Sequence, residues 1–405
     1  MWYNVVHMKN RKKLRLVMVL SVMHSRADRM RLAGVLRYAA LHPDWIVEIF
    51  PEHPSNRIRP PDPANFSGII TTGFFLKTVA GAKRLGKIRP AVILDPEPNF
   101  CISGRFAVIR EDNRKLGSFA ADFFLRKGLK SFAYVGTLQP RHWSDERFAG
   151  FAERLAESGR TASVYRPDSN VADWGRELSN LIRFLSDLPK PCGVLAALDE
   201  RAKQVLNACR MGGISVPEQI SVLGVNNEHF ICETAIPTLS SIEPELEESG
   251  YLAAAALDRL MHGGRIPHVE QYGIKGIVER LSTSDLSGKS RIVAIAEEFI
   301  RRNATTPITP HDIAVACRCS LRLLQRSFAA VLSVSPAKRL RQERLSRVCD
   351  MLEKTRTPLN LIGGLCGLPN AKHLKTLFKK TYGLTMGDYR TNAVAAHSRS
   401  QPFTS

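Results

Sequence analysis

What most restricts this chain is a rhythm. From Leu14 to about Leu281, short apolar runs alternate with segments of helical periodicity. The runs "LRLVMVLSV", "WIVEIF", "SGIITTG", "PAVILD", "FAYVG", "CGVLAAL" and "ISVLGV" are mostly closed by Gly, Pro or Asp. Between several of them lie amphipathic stretches at 28–41, 113–127, 146–158, 174–188 and 200–211. Strands separated by helices pair through crossovers, so the order predicts an α/β fold with parallel sheets. Runs that are apolar at every residue predict strands buried on both faces. A span of about 270 residues is large for one open sheet, and two similar lobes, covering 13–281, are expected.

After Leu281 the strand pattern stops. The polar, Ser-rich stretch 282–290 reads as a linker. Beyond it the sequence is helical throughout, at 291–303, 311–317, 320–331, 337–354, 360–365 and 370–382, and 393–405 reads as a disordered tail. Charge follows the same division. The chain carries 58 Lys and Arg against 38 Asp and Glu, a net +20 over 405 residues. The segment 286–405 holds 20 of the cations and 7 of the acids, so +13 lies in its last 120 residues. A polyanionic partner for the C-terminal part is the expectation.

Several classes are disfavoured. The eight cysteines include no C-x-x-C pair, which argues against a zinc finger or a disulfide framework and for a reducing cytoplasm. The stretch "KNRKKLRLVMVLSVM" has the basic start and apolar run of a secretion signal, but Arg15 interrupts the run and no small-residue cleavage site follows. A buried first strand is expected there, and no membrane partner. No metal-ligand spacing, phosphate-cradling glycine loop or nucleophile elbow occurs, so an enzyme, a cofactor, a metal and a catalytic residue are not expected. A sugar-binding receptor without a DNA role would need export and has no use for the basic tail. An α/β enzyme acting on a small polar metabolite would need more than the single carboxylates found after strands.

The basic region repeats itself. "SLRLLQRSF" (320–328) lies over "NAKHLKTLF" (370–378), placing Leu324 on Leu374, Phe328 on Phe378 and Arg322 on Lys372. Each copy follows a short helix and a tight turn, "DIAVACRC" or "LIGGLCGL". Two helices joined in this way, the second polar on its outer face, form a helix-turn-helix. In the first copy Leu321, Leu324 and Phe328 recur on one apolar face, and Arg322, Gln325 and Arg326 point away from it. Arg can fork to guanine and Gln to adenine in the major groove. Lys372, Lys375 and Lys379, joined by His373, are expected to act more through phosphate attraction.

These motifs, "S-x-R-x-L-Q-R-x-F", "S-P-A-K-R-L-R-Q-E-R-L" and "F-K-K-T-Y-G-L-T-x-x-x-Y-R", resemble the DNA-binding domain of the AraC/XylS family over 291–392. The resemblance implies base reading by Arg322, Gln325 and Arg326 with Ser320 as the helix cap. It carries the second recognition helix to Asn370, Lys372, His373 and Lys375. The chain departs from the family at Arg318, where Gly is usual, at Pro369, where Ser is usual, and at Thr385-Met386. Gly363 and Gly364 stand inside a helix, each costing about 1 kcal/mol against Ala. A second unit less rigid and less selective than the first is therefore expected.

Upstream, "VIREDNRKLGSFAADFFLRKGLKSFAYVG", "HWSDERFAGF" and "PTLSSIEPELEESGYLAAAALDRLMHGG" resemble the sugar-sensing lobes of the lactose-repressor family, whose fold is that of periplasmic sugar-binding proteins. Sensor first and AraC-type module second resembles the order found in xylose regulators. The resemblance implies a ligand site at strand ends. Arg147 would donate to ring or hydroxyl oxygens, Asp199 would accept from hydroxyls, Asn226 would sit at another strand end, Trp143 would offer a ring face, and Asp28 would close the other side. Asn226 stands where the family usually has Asp. Two roles compete at each main position: Arg147 as ligand donor or inter-helix ion-pair partner, Asp199 as ligand acceptor or helix cap. The whole predicts a two-lobed α/β, periplasmic-binding-protein-like sensor followed by an all-α tandem helix-turn-helix domain. The expected partners are double-stranded DNA, a small effector of the sugar type, a second copy of the chain and RNA polymerase.

Overall fold

The computed structural model describes residues 14–21, 25–51, 65–72, 89–96, 105–167, 173–264, 269–284 and 288–399. It divides into two compact units, one ending at Ser284 and the other beginning at Asp285.

The first unit contains two six-stranded sheets. Strands β1 (Arg15–Ser21), β2 (Trp45–Pro51), β3 (Gly68–Thr72), β4 (Ala91–Leu94), β5 (Phe106–Glu111) and β11 (Val269–Tyr272) form one, in the order β11-β5-β4-β3-β1-β2. Strands β6 (Ser131–Val135), β7 (Ala162–Tyr165), β8 (Cys192–Ala196), β9 (Ile220–Val225), β10 (Ser240–Pro244) and β12 (Ile274–Val278) form the other, in the order β12-β10-β9-β8-β6-β7. Every pairing is parallel except β10 with β12. The seven apolar runs are all strands, and the central β3, β4, β8 and β9 are buried at every residue. The five other strands lack such a run: β5, β7, β10, β11 and β12 carry charged, hydroxyl or glycine residues and owe their place to tertiary pairing.

The helices of this unit are α1 (Arg26–Ala40), α2 (Asn113–Arg126), α3 (His142–Glu157), α4 (Trp174–Asp187), α5 (Asp199–Met211), α6 (His229–Thr234) and α7 (Leu246–Met261). The chain crosses between the lobes three times, from β5 to α2, from β10 to α7 and from β11 to β12. Backbone bonds join these crossings, Asp112 N to Tyr272 O at 3.5 Å and Glu245 N to Gly273 O at 3.0 Å.

The lobes share a packing device. "RLAGV" (31–35) in α1 and "RFAGF" (147–151) in α3 each place a glycine where another helix crosses. A Cβ on Gly34 would lie 1.9 Å from Glu247 O of α7, and one on Gly150 would lie 1.9 Å from Arg114 O of α2. Only glycine permits backbones this close. One turn before each glycine stands an arginine, Arg31 or Arg147, so the crossing fixes where each guanidinium begins.

The expected linker is shorter than 282–290. Leu281–Thr283 form a 3-10 turn in which Ser282 and Thr283 are buried. Ser282 Oγ donates to Val222 O at 2.6 Å and accepts from Ser240 N at 2.8 Å, and Thr283 Oγ1 bonds Ser240 Oγ at 2.7 Å. Polar composition misled here because small hydroxyls can be buried once backbone partners satisfy them. Residues 288–290 already belong to a helix, and 285–287 lie outside the described residues.

The second unit is helical: α8 (Gly288–Asn303), α9 (Pro310–Ala316), α10 (Leu321–Leu332), α11 (Pro336–Lys354), α12 (Leu359–Leu365), α13 (Ala371–Tyr382) and α14 (Met386–Arg399). The last helix runs seven residues into the stretch read as a disordered tail. It starts without proline because Thr385 Oγ1 accepts from Asp388 N at 3.2 Å and donates to Asp388 Oδ2 at 2.7 Å. Two cores form, one around Ile300, Ile313, Leu324 and Phe328, the other around Val348, Leu352, Ile362, Leu374 and Phe378. Helix α11 gives Leu340 to the first and Leu345 to the second, so it ties the two helix-turn-helix units together.

Candidate effector cleft and nucleic-acid interface

The strand ends of the two lobes are joined by charged side chains. Arg147, 4% exposed, donates from Nη2 to Glu111 Oε2 at 2.6 Å, from Nε to Asn113 Oδ1 at 2.9 Å and from Nη1 to Ala197 O. Its guanidinium also lies 4.6 Å from the centre of the Trp143 ring. Arg147 and Trp143 are thus brought together, and Arg147 reaches the end of β8 just before Asp199. The inter-element ion pair that competed with a ligand role is present, with Glu111 as partner.

Asp199 is fully buried at the start of α5. Its Oδ1 accepts from Ser241 Oγ at 2.6 Å and its Oδ2 from Glu228 N at 2.7 Å. It therefore brackets β10 and the loop after β9; the bonds run between elements and not to its own helix end. Burial pushes its carboxyl up to about 7, and the two hydrogen bonds hold back a larger rise.

Asn226 follows β9 in the left-handed region, φ 99°, and its carbonyl accepts from Arg26 Nη1 at 2.9 Å. Asp28 stands in the first turn of α1, where Ser25 Oγ donates to its Oδ2 at 2.6 Å and Arg31 approaches its Oδ1 at 3.7 Å. Among the described residues it has no bond to the second lobe.

Sequence reading missed Arg26, Arg31, Asp95, Glu111 and Tyr272, which line the first lobe's side. Arg31 Nη2 pairs with Asp95 Oδ2 and donates to Tyr272 OH at 3.0 Å. The repeated R-x-A-G was the available signal for Arg31. Asp95, the last residue of the run "PAVILD", had its strand-end position as a signal, whereas nothing in the sequence pointed to Tyr272.

In the second unit Ser320 caps α10, accepting from Leu323 N at 3.2 Å, and Asn370 caps α13, its Oδ1 accepting from His373 N at 2.9 Å. Leu324, Phe328, Leu374 and Phe378 are at most 2% exposed. Leu321 was expected in that core and is 37% exposed, because it is the first residue of the helix and precedes the docked turn. Arg322, Gln325, Arg326, Lys372, His373, Lys375 and Lys379 are all exposed.

The turns use left-handed residues. Arg318, φ 50°, follows the end of α9, and Gly367, φ 74°, follows the end of α12. Gly363 stands at a close approach between elements. A Cβ there would meet Leu368 O at 2.6 Å and Leu374 Cδ2 at 3.0 Å, so the glycine lets α12 seat against the turn and α13.

The seven acids of 286–405 are all engaged elsewhere. Glu297 and Glu343 pair with Arg339, Glu298 with Arg302 and Asp350 with Lys354. Asp312 and Asp388 serve in helix caps, and Glu353 accepts from Tyr389 OH. Among the described residues the two exposed recognition faces thus carry donors with no carboxylate partner, the complement of a nucleic-acid groove.

Two lobes around a polar cleft and a tandem helix-turn-helix define a ligand-controlled, DNA-binding transcription regulator. Residues 121–283 match the periplasmic binding protein-like domain and residues 313–392 match a helix-turn-helix domain. The chain is 30% identical over 293 residues to the xylose operon regulatory protein of Haemophilus influenzae, covering 71% of this chain and 75% of that one. It is 28% identical over 287 residues to the protein of the same name from Escherichia coli K12, covering 70% and 73%. The solved structure of the xylose-binding transcription activator XylR shares the fold, with a TM-score of 0.60 and 24% identity over 94% of this chain and 98% of that chain. The chain belongs to the family of the xylose operon regulatory proteins, which are regulators and not enzymes. Among the described residues no helix is long and apolar enough to cross a membrane.

Proposed function

We propose that the unit ending at Ser284 binds a sugar and that the unit beginning at Asp285 reads an operator. Arg147, Trp143, Asn226 and Asp199 form the second lobe's share of the sugar site, and Asp28 stands on the first lobe. Arg322, Gln325 and Arg326 contact bases, with Ser320 setting the start of their helix. Asn370, Lys372, His373, Lys375 and Lys379 contact DNA from the second unit, mostly at phosphates. The observation that carries the reading is the pair of exposed recognition faces whose cations pair with no acid among the described residues, while the seven acids of 286–405 are bound elsewhere.

The protein acts in the cytoplasm as a homodimer and contacts RNA polymerase. Sugar closes the lobes, changes how two chains pair and so sets the spacing of their DNA-binding units. Half-sites are then spaced by whole helical turns of about 34 Å. The sugar acts only through a difference in affinity for the two arrangements. The names of the relatives put xylose first among candidates. Selection of bound DNA with and without xylose and other sugars tests the reading: a defined operator whose enrichment changes with one sugar is expected, and equal weak binding to every sequence refutes it.

A further inference from the structure

We infer that Arg318, in the turn of the first helix-turn-helix, is a DNA-phosphate contact that this chain adds beside the recognition face of α10. The inference deepens the operator-reading role proposed above and rests on it. Arg318 stands between α9 and α10, two residues before Ser320, which caps the helix that carries Arg322, Gln325 and Arg326. Its backbone is left-handed, φ 50°, a region strained for a residue with a Cβ and open to glycine.

The duplication separates what the turn needs from what the side chain adds. The first helix of each unit ends on a cysteine, Cys317 or Cys366, and the next residue is left-handed: Arg318 in one, Gly367 with φ 74° in the other. The amide after it returns to the helix in both, Cys319 N to Ala314 O at 3.0 Å and Leu368 N to Gly363 O at 2.7 Å. The turn therefore requires the left-handed backbone, which glycine supplies, and no side chain. In the second unit a Cβ on Gly367 would lie 2.4 Å from Ala304 O, so no side chain fits there. The first unit carries an exposed arginine at this place. Arg339, Arg344 and Arg347 are bound within the unit, whereas Arg318, like Arg322 and Arg326, has no hydrogen bond or ion pair among the described residues. Strain kept at a residue whose side chain serves no internal contact points to function. A guanidinium at the entrance to the recognition helix suits a backbone phosphate at the edge of the groove that Arg322 reads, a contact that fixes register and carries no sequence information.

The test measures binding of the full chain to the selected operator across a salt series, with unfolding midpoints beside it. Arg318→Gly should raise the midpoint by a few degrees, because the strain is relieved. At about 0.1 M salt it should weaken binding roughly five- to ten-fold, equally for every single-base operator variant, and it should lower the slope of log affinity against log salt by about one. Arg318→Lys keeps a cation and should restore most of the slope. Ser333, φ 55°, stands at the other end of α10 where the second unit has Gly383, φ 75°. Ser333→Gly relieves strain without removing a charge, so it should raise the midpoint and leave affinity and slope unchanged. If Arg318→Gly binds with unaltered affinity and slope, the contact is refuted and operator reading by Arg322 stands. If Arg318→Gly and Ser333→Gly weaken binding alike, the loss belongs to the backbone and the contact is refuted as well. If the unaltered protein prefers no sequence, operator reading fails and the contact fails with it.

Discussion

Arg26 of α1 and Glu243 at the end of β10 form a 3.0 Å ion pair between the two lobes, each side chain about 15% exposed. A reverse pair crosses the other way, Arg110 of β5 with Glu146 of α3 at 3.2 Å. Arg110 and Glu243 each stand three residues before the helix that follows a crossing, so the duplicated frame carries the same latch with its charges exchanged. Burial pushes the Glu243 carboxyl up, but hydrogen bonds from Arg26 and Asn227 outweigh it and hold the group below its ordinary value.

A carboxyl lowered on folding contributes stability above its unfolded pKa of about 4.3 and loses it as pH falls through the lower folded value. The Arg26 latch should therefore hold at neutral pH and release below about pH 4. A cycle of Arg26→Ala and Glu243→Gln should give a coupling of about 1 kcal/mol. The single variants should raise the radius of gyration in solution scattering, and the exchange Arg26→Glu with Glu243→Arg should restore it. No coupling and an unchanged radius would show that the pair does not hold the lobes.

Asp199 gives the opposite pH signature. Its carboxyl is raised to about 7, so the folded state holds the proton more tightly than the unfolded chain does. That contribution is present below the unfolded pKa of about 4 and is lost as pH rises towards 7. Asp199→Asn should flatten the fall in stability between about pH 4 and pH 7, measured by urea unfolding at a series of pH values. An unchanged slope would place the titrating group elsewhere.

On DNA, Arg322→Ala should relax preference at one base pair and cost about 1 to 3 kcal/mol. Lys379→Ala should weaken all sequences alike and reduce the slope of log affinity against log salt by about one. Competition binding across single-base operator variants separates the two. If Arg322→Ala leaves the preference intact, base reading does not reside there.

The adjacent glycines of α12 should respond with opposite signs. Gly364 has nothing within 4 Å of an added Cβ, so Gly364→Ala should stabilise by roughly 0.5 to 1 kcal/mol through helix propensity. Gly363→Ala drives a methyl against Leu368 O and should cost roughly 1 to 3 kcal/mol. Thermal unfolding of both variants decides, and equal shifts would mean that the close approach at Gly363 is not required.

The sequence alone determined the seven apolar strands and their alternation with helices, the parallel sheets, the two recognition helices and their exposed donors, and the charge difference between the two units. These are local or additive properties: periodicity is set by residues three or four apart, a cap by one side chain and its near backbone, and charge by counting. Only the tertiary structure decided which polar groups meet. Arg147 and Glu111 are 36 residues apart and Arg26 and Glu243 are 217 apart, and no local pattern records either pairing. The same holds for Ser282, polar yet buried because strand backbones satisfy it, and for Leu321, apolar yet exposed because its helix starts there. A side chain's surroundings depend on where distant segments fold back, and in this protein that decided which strand-end groups had partners.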